Sequence, residues 1–96
     1  MAKRPVHPGK VLSEDVLEPL GMSANKLAQA LRVPANRISA IVAGRRAISA
    51  DTALRLSRFL GTSPEFWVGL QAEYDLDTAR LEAAKRIERE VRPRAS

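Results

Sequence analysis

The sequence contains no cysteine, one histidine and only four aromatic side chains. Without cysteine there can be no disulfide framework, thiolate nucleophile or Cys-based zinc site, and the composition suits a reducing compartment. The single histidine, His7, excludes a metal cluster or a His-based triad and reads as a structural or surface residue. Long hydrophobic runs are missing as well. The longest, Ala40 to Ala43, is far short of a membrane span, and the opening Met1-Ala2-Lys3-Arg4-Pro5 lacks the apolar stretch of a secretory signal. A cytoplasmic chain with no membrane partner is expected. Glycines stand at 9, 21, 44, 61 and 69, scattered rather than gathered into a phosphate-cradling loop. A chain of 96 residues forms one small core with no room for a roomy substrate cavity. Together these absences argue against an enzyme, a cofactor or a small-molecule substrate.

A further absence is local. The formal charge is +5, and residues 23 to 46 carry Lys26, Arg32, Arg37, Arg45 and Arg46 with no acidic residue at all. The first 22 residues are neutral overall, residues 47 to 79 come to −3 and residues 80 to 96 to +3. A basic stripe of this kind is the footprint of a polyanion partner, although it also describes an ordinary solvated face.

Strand signals are nearly absent: there is no sustained alternation and no Asn-Gly or Asp-Gly hairpin dipeptide. Helix signals recur instead. The pattern predicts a first helix from Pro8 to about Leu17, ended by Glu18-Pro19-Leu20-Gly21. A second is capped by Ser23 and turns Leu27, Ala28 and Leu31 inward. Arg32 and Val33 form a short turn. Pro34 suits the first position of a third helix, which reaches Ala43 and stops at Gly44. Ser49, with Asp51 in the first turn, opens a fourth helix carrying Ala53, Leu54, Leu56, Phe59 and Leu60, and Gly61 closes it. Ser63-Pro64 starts a fifth with Phe66, Trp67 and Leu70, the aromatics filling the core or a subunit interface. Asp75 and Asp77 read as caps of a further helix that ends before Pro93. Leu81, Ala84, Ile87 and Val91 make a narrow apolar stripe there, suited to covering a neighbour or pairing with another subunit, or else lying on an exposed tail. The expected fold is all-α: a five-helix domain over residues 1 to 76 and a helical extension over 77 to 96.

Residues 23 to 43 thus hold two short helices joined by a three-residue turn, the geometry of a helix-turn-helix, inside the acid-free segment. On the third helix Ile38, Ile41 and Val42 share one side. The opposite side presents Asn36, Ser39, Ala40 and Ala43, with Arg37 on the flank. Small side chains let a helix sink into the major groove. Asn36 can offer a bidentate amide to adenine, Arg37 can reach guanine or a phosphate, and Ser39 can donate to either. Pro34 and Ala35 open the same edge, and Ala35 and Ala40 suit a thymine methyl. A face of small residues also suits packing against another helix; the missing acids favour DNA. Arg45 and Arg46 leave the third helix where the sugar-phosphate backbone would pass. Ser23, Ala24 and Asn25 form a helix N-terminus able to donate backbone N–H groups to a phosphate. Lys3 and Arg4 form a short basic arm that could reach DNA or simply lie exposed.

Four stretches carry a family resemblance: Arg4-Pro5-Val6-His7-Pro8-Gly9-Lys10-Val11-Leu12; Leu20-Gly21-Met22-Ser23 with Leu27-Ala28 and Arg37-Ile38-Ser39; Gly44-Arg45-Arg46-Ala47-Ile48-Ser49-Ala50-Asp51-Thr52-Ala53-Leu54-Arg55-Leu56; and Ser63-Pro64-Glu65-Phe66-Trp67-Val68-Gly69-Leu70-Gln71. Over residues 4 to 76 the chain resembles the HigA (VapI) antitoxins, a branch of the phage-repressor-like helix-turn-helix proteins. The resemblance implies a five-helix DNA-binding homodimer on a palindromic operator in its own promoter. It also implies neutralisation of a HigB-type mRNA-cleaving toxin. Two other readings stay open: a phage-type regulator without a toxin, and a module that inhibits a toxin without reading DNA. The chain departs from the superfamily at the turn, where Arg32 stands in place of a frequent glycine. A left-handed backbone there costs on the order of 1 kcal/mol.

Overall fold

A computed structural model describes residues 4 to 95, and the Lys3 half of the basic arm lies outside them. Among the described residues there are five helices and no strand. Helix α1 is built of three consecutive stretches: an α turn over Pro8–Val11, a π segment over Leu12–Leu17 and an α turn over Glu18–Leu20. It therefore runs through Pro19 to Leu20, past the expected end near Leu17. The π segment is the physical reason. Its wider turn, closed by the Glu18 N–H on the Ser13 carbonyl, comes just before the residue that lacks a donor, so Pro19 interrupts no regular ladder. Gly21, at φ 63°, then stops the helix, with the Met22 N–H returning to the Leu17 carbonyl at 3.0 Å.

Helices α2 (Ala24–Leu31), α3 (Ala35–Val42) and α4 (Ala50–Leu60) follow the expected signals closely. Ser23 caps α2 by accepting the Lys26 N–H, and Ser49 caps α4 by accepting the Thr52 N–H. Pro34 sits one place earlier than predicted, at the N-cap of α3. Its ψ of 144° is still extended, and only Ala35 enters the helix. Arg32 does adopt the left-handed conformation, at φ 61°, ψ 44°, the one non-glycine residue with positive φ among those described. The Val33 N–H on the Ala28 carbonyl closes this end of α2.

Helix α5 runs without a break over Pro64–Glu90. Asp75 and Asp77 are not caps, because nothing between Ser63 and Glu90 interrupts the helix: its interior has one glycine, Gly69, and strong helix formers follow Leu76. Asp75 accepts from Gln71 Nε2 at 3.0 Å one turn back, and Asp77 is buried with Arg80 Nη1 at 3.4 Å. The extension is helical to Glu90, and Leu81, Ile87 and Val91 on it are exposed.

The core gathers Leu12 and Leu17 of α1, Leu27, Ala28 and Leu31 of α2, Ile38 and Ile41 of α3, Ile48 before α4, Ala53 and Leu56 of α4, and Trp67 of α5. Trp67 is the largest fully buried side chain, and its indole N–H is satisfied by Thr62 Oγ1 at 2.8 Å. Phe66 meets it edge-on but remains half exposed.

The His7-Pro8-Gly9 opening has a packing explanation. His7 is the N-cap of α1, its Nδ1 accepting the Gly9 N–H at 2.9 Å, and its ring meets Tyr74 of α5 edge-on at 4.8 Å. Because Nδ1 must be an acceptor, only the neutral ring caps the helix. Burial holds the imidazole below its ordinary value of 6.5, with the Asp75 carboxylate opposing. The unfolded chain therefore takes up this proton at a higher pH than the folded one, so stability is full above about pH 7 and declines as pH falls through 6.5. Thermal melts between pH 7.5 and 5 should show that decline. His7→Asn, which keeps a capping acceptor but does not titrate there, should flatten it; an equal decline in both proteins would remove the role given to His7.

Candidate nucleic-acid interface

Packing of α2 and α3 defines which faces remain available. Leu27, Ala28 and Leu31 of α2 and Ile38 and Ile41 of α3 point into the core. Periodicity then sends Asn36, Ser39 and Ala43 to the outside, where all three are exposed, with Ala40 half-buried between them and Ala35 exposed at the start. The Asn36 side chain has no partner among the described residues, so its amide is free to pair outward. Ser39 Oγ rests loosely on the Asn36 carbonyl, at 3.4 Å. This edge is short, polar and free of bulky side chains, which is what close approach to base edges requires.

Two flanks frame it. At the start of α2, Ser23 and Asn25 are exposed and Ala24 is half-buried, and Ser23 uses only the Lys26 N–H, leaving the preceding N–H groups available. Beyond α3, Gly44 at φ 78° reverses the chain, and the Arg45 N–H returns to the Ala40 carbonyl at 2.9 Å. Arg45 and Arg46 are thereby held on an exposed turn immediately after the helix, and neither guanidinium has a partner among the described residues.

Arg37 is placed differently from the other cations. It lies in the first turn of α3, but its Nη1 donates to Asp51 Oδ2 of α4 at 2.9 Å rather than pointing free into solvent. The same oxygen accepts Arg55 Nε at 2.9 Å, and Arg55 Nη1 donates to the Leu31 carbonyl at the end of α2 at 3.0 Å. The Arg55 hydrogen bond first, and Arg37 after it, hold the Asp51 carboxyl below its ordinary range. Sequence reading missed this cluster. The four-residue spacing of Asp51 and Arg55 was a legible signal, whereas Arg37 and Asp51 are 14 residues apart and only the fold joins them. It also missed buried Gln71, whose Oε1 accepts the Ile48 N–H at 2.9 Å and ties the loop after α3 to α5.

A pair of short helices on a tight left-handed turn, with an uncluttered polar edge on the second and cations at its exit, is a helix-turn-helix module. Comparison with known proteins agrees. The helix-turn-helix family profile matches residues 14–67. A solved addiction-module antidote protein of the HigA family from Coxiella burnetii is 51% identical; the match covers 96% of this chain and all of that one, with a TM-score of 0.91. The Pseudomonas aeruginosa antitoxin HigA, solved with the higBA promoter, is 44% identical over 96% of this chain and all of its own, with a TM-score of 0.93. Virulence-associated protein I of Dichelobacter nodosus is 49% identical over 77% of this chain and 68% of its own length. The chain belongs to the HigA antitoxin branch of the helix-turn-helix family, and is a regulator of that class rather than an enzyme. No helix of the described residues is long and apolar enough to cross a membrane.

Proposed function

We propose that two copies of this chain bind a palindromic operator in their own promoter and repress it, and that the same protein neutralises a HigB-type RNA-cleaving toxin in the cytoplasm. The observation that carries the reading is the free polar edge of α3, set between two phosphate-suited flanks in a segment without a single acidic side chain. Asn36, Ser39, Ala35 and Ala40 meet base edges, with Pro34 at their entry and Arg37 on their flank. Ser23, Ala24 and Asn25 on one side and Arg45 and Arg46 on the other hold phosphates and set the register. The P. aeruginosa relative solved with its promoter supports the DNA partner, and the antidote naming of the C. burnetii relative supports the toxin.

The outer side of α5 supports dimerisation. Val68, Gly69 and Ala72 there form, with Ala50, Leu54 and Pro64, a shallow cleft of about 430 Å³, and Leu76 and Ala79 continue it at helical spacing on the side away from Trp67. Small residues on a continuous helix permit close approach of a second copy of the same helix, and a dimer that reads two half-sites needs its α3 helices about 34 Å apart.

Titration of a promoter duplex at several salt concentrations tests the reading. Affinity should fall steeply with salt, and the double variant Arg45→Ala, Arg46→Ala should flatten the slope by about 0.9 for each phosphate that is no longer neutralised. A flat dependence in the parent protein would end the DNA hypothesis. Co-purification with the product of the adjacent gene separates an antitoxin from a phage-type regulator with no toxin, and an intact toxin complex without any gel shift would favour the pure inhibitor.

A further inference from the structure

The cation nearest the reading edge is held by a carboxylate. Asp51 Oδ2 accepts Arg37 Nη1 from the first turn of α3 and Arg55 Nε from the next turn of α4, each at 2.9 Å. Through Arg55 Nη1 the cluster also reaches the Leu31 carbonyl, the end of the helix before the turn. The carboxylate side of the cluster is open, with Asp51 58% and Arg55 42% exposed, while Arg37 is 24% exposed; water at the carboxylate screens the pairing and keeps its contribution to folding stability modest. Its position, beside the edge that meets DNA, therefore calls for another account.

We propose that Asp51 is a specificity-determining residue: it holds Arg37 in an ion pair so that the reading edge does not fasten onto any phosphate it meets. The inference rests on the operator-binding reading above. Sequence-independent affinity grows with each cation free to displace counterions from the duplex. On a wrong sequence, where no base contact fixes the register, a free Arg37 settles on whichever phosphate comes within reach; on the operator the base contacts of Asn36 and Ser39 fix the register and keep it on the flank. Paired, it reaches a phosphate only by giving up a charge-assisted hydrogen bond, which leaves Asp51 on Arg55 alone. The contacts of Asn36, Ser39 and Ala40 with base edges require no such exchange, so the pair disfavours wrong sequences more than the right one. Arg55 is the positioning residue of the arrangement. Its two donors fix the carboxylate relative to the end of α2, which a lysine, with its compact single ammonium, cannot reproduce.

The test compares the promoter duplex with a scrambled duplex of equal length, using the full chain, with melting curves to confirm that each variant folds. Asp51→Asn should raise affinity for the scrambled duplex about fivefold, since a hydrogen bond to a charged group is worth at least that factor. The non-specific salt slope should steepen by about 0.9 for each Arg37 that reaches a phosphate. Promoter affinity should change by less than about twofold, so the ratio of the two affinities falls. Asp51→Glu, which keeps the charge, should restore most of the parent ratio, and Arg37→Ala added to Asp51→Asn should cancel the non-specific gain. If folded Asp51→Asn keeps the parent ratio, or if Asp51→Glu lowers it equally, the role of Asp51 is refuted. A parent protein that does not prefer the promoter duplex refutes the operator reading itself, which separates the two failures.

Discussion

Gly9→Ala should destabilise the fold strongly although it adds a single methyl group. A Cβ at this position would overlap the Ile41 carbonyl oxygen, come within 2.7 Å of its carbon and lie 3.1 Å from His7 Nδ1. The oxygen and carbon belong to the backbone of α3 and cannot swing aside, so α1 and α3 would have to separate. Forced overpacking of this kind costs about 3 kcal/mol, and for a chain of this size about 1 kcal/mol corresponds to a melting temperature 4 to 8 °C lower. A fall of about 15 °C is therefore expected in a thermal melt. Because Ile41 lies in the recognition helix, operator affinity should also drop in the fraction that stays folded. A variant that melts within about 3 °C of the parent protein would show that α1 and α3 can part at little cost and that the close approach is not a structural requirement.

The second large effect is expected on DNA binding alone. Ser39 is exposed in the middle of α3, and glutamate is at least as good a helix former as serine, so Ser39→Glu should melt like the parent. In the complex it would carry a carboxylate into the major groove of each half-site, with no group there to balance it. With about 1 to 3 kcal/mol for each misplaced base contact and two subunits engaged, operator affinity should fall at least about 30-fold at about 150 mM salt, read by fluorescence anisotropy on the promoter duplex. Co-purification of the toxin should persist. Undiminished operator binding by Ser39→Glu would mean that the outer edge of α3 does not enter the groove, and the assignments to Asn36, Ala35 and Ala40 would be withdrawn with it.

The elements most legible in the sequence were those governed by local chemistry. Ser23, Ser49 and Ser63 each announce a helix by a side-chain oxygen that accepts an N–H of the first turn, and each does so in the structure. Gly21, Gly44 and Gly61 end helices or turn the chain because positive φ is easy only without a Cβ. The outward set on α3 followed from a period of 3.6 residues and the location of Ile38 and Ile41. Where an element depended on competition between signals, sequence reading went astray. Pro19 looked like a stop, but a widened turn before it accommodates the missing donor. Asp75 and Asp77 looked like a new beginning, but a carboxylate inside a helix can pair with side chains three or four residues away as readily as it caps one.

By itself, then, the sequence determined the all-helical composition, the helix-turn-helix segment, the face of α3 turned outward and the concentration of positive charge around it. All of these are set within a few residues by capping, periodicity and net charge. Tertiary structure alone decided what lies across from what. It placed Gly9 against the Ile41 carbonyl, Gln71 on the Ile48 amide and, above all, Asp51 between Arg37 and Arg55. Hydrogen bonds and close contacts act over a few ångströms, and only packing of α1, α4 and α5 around the module brings residues distant in the chain within that range. The basic stripe is written in the sequence; the fold brings to it the carboxylate that pairs with Arg37.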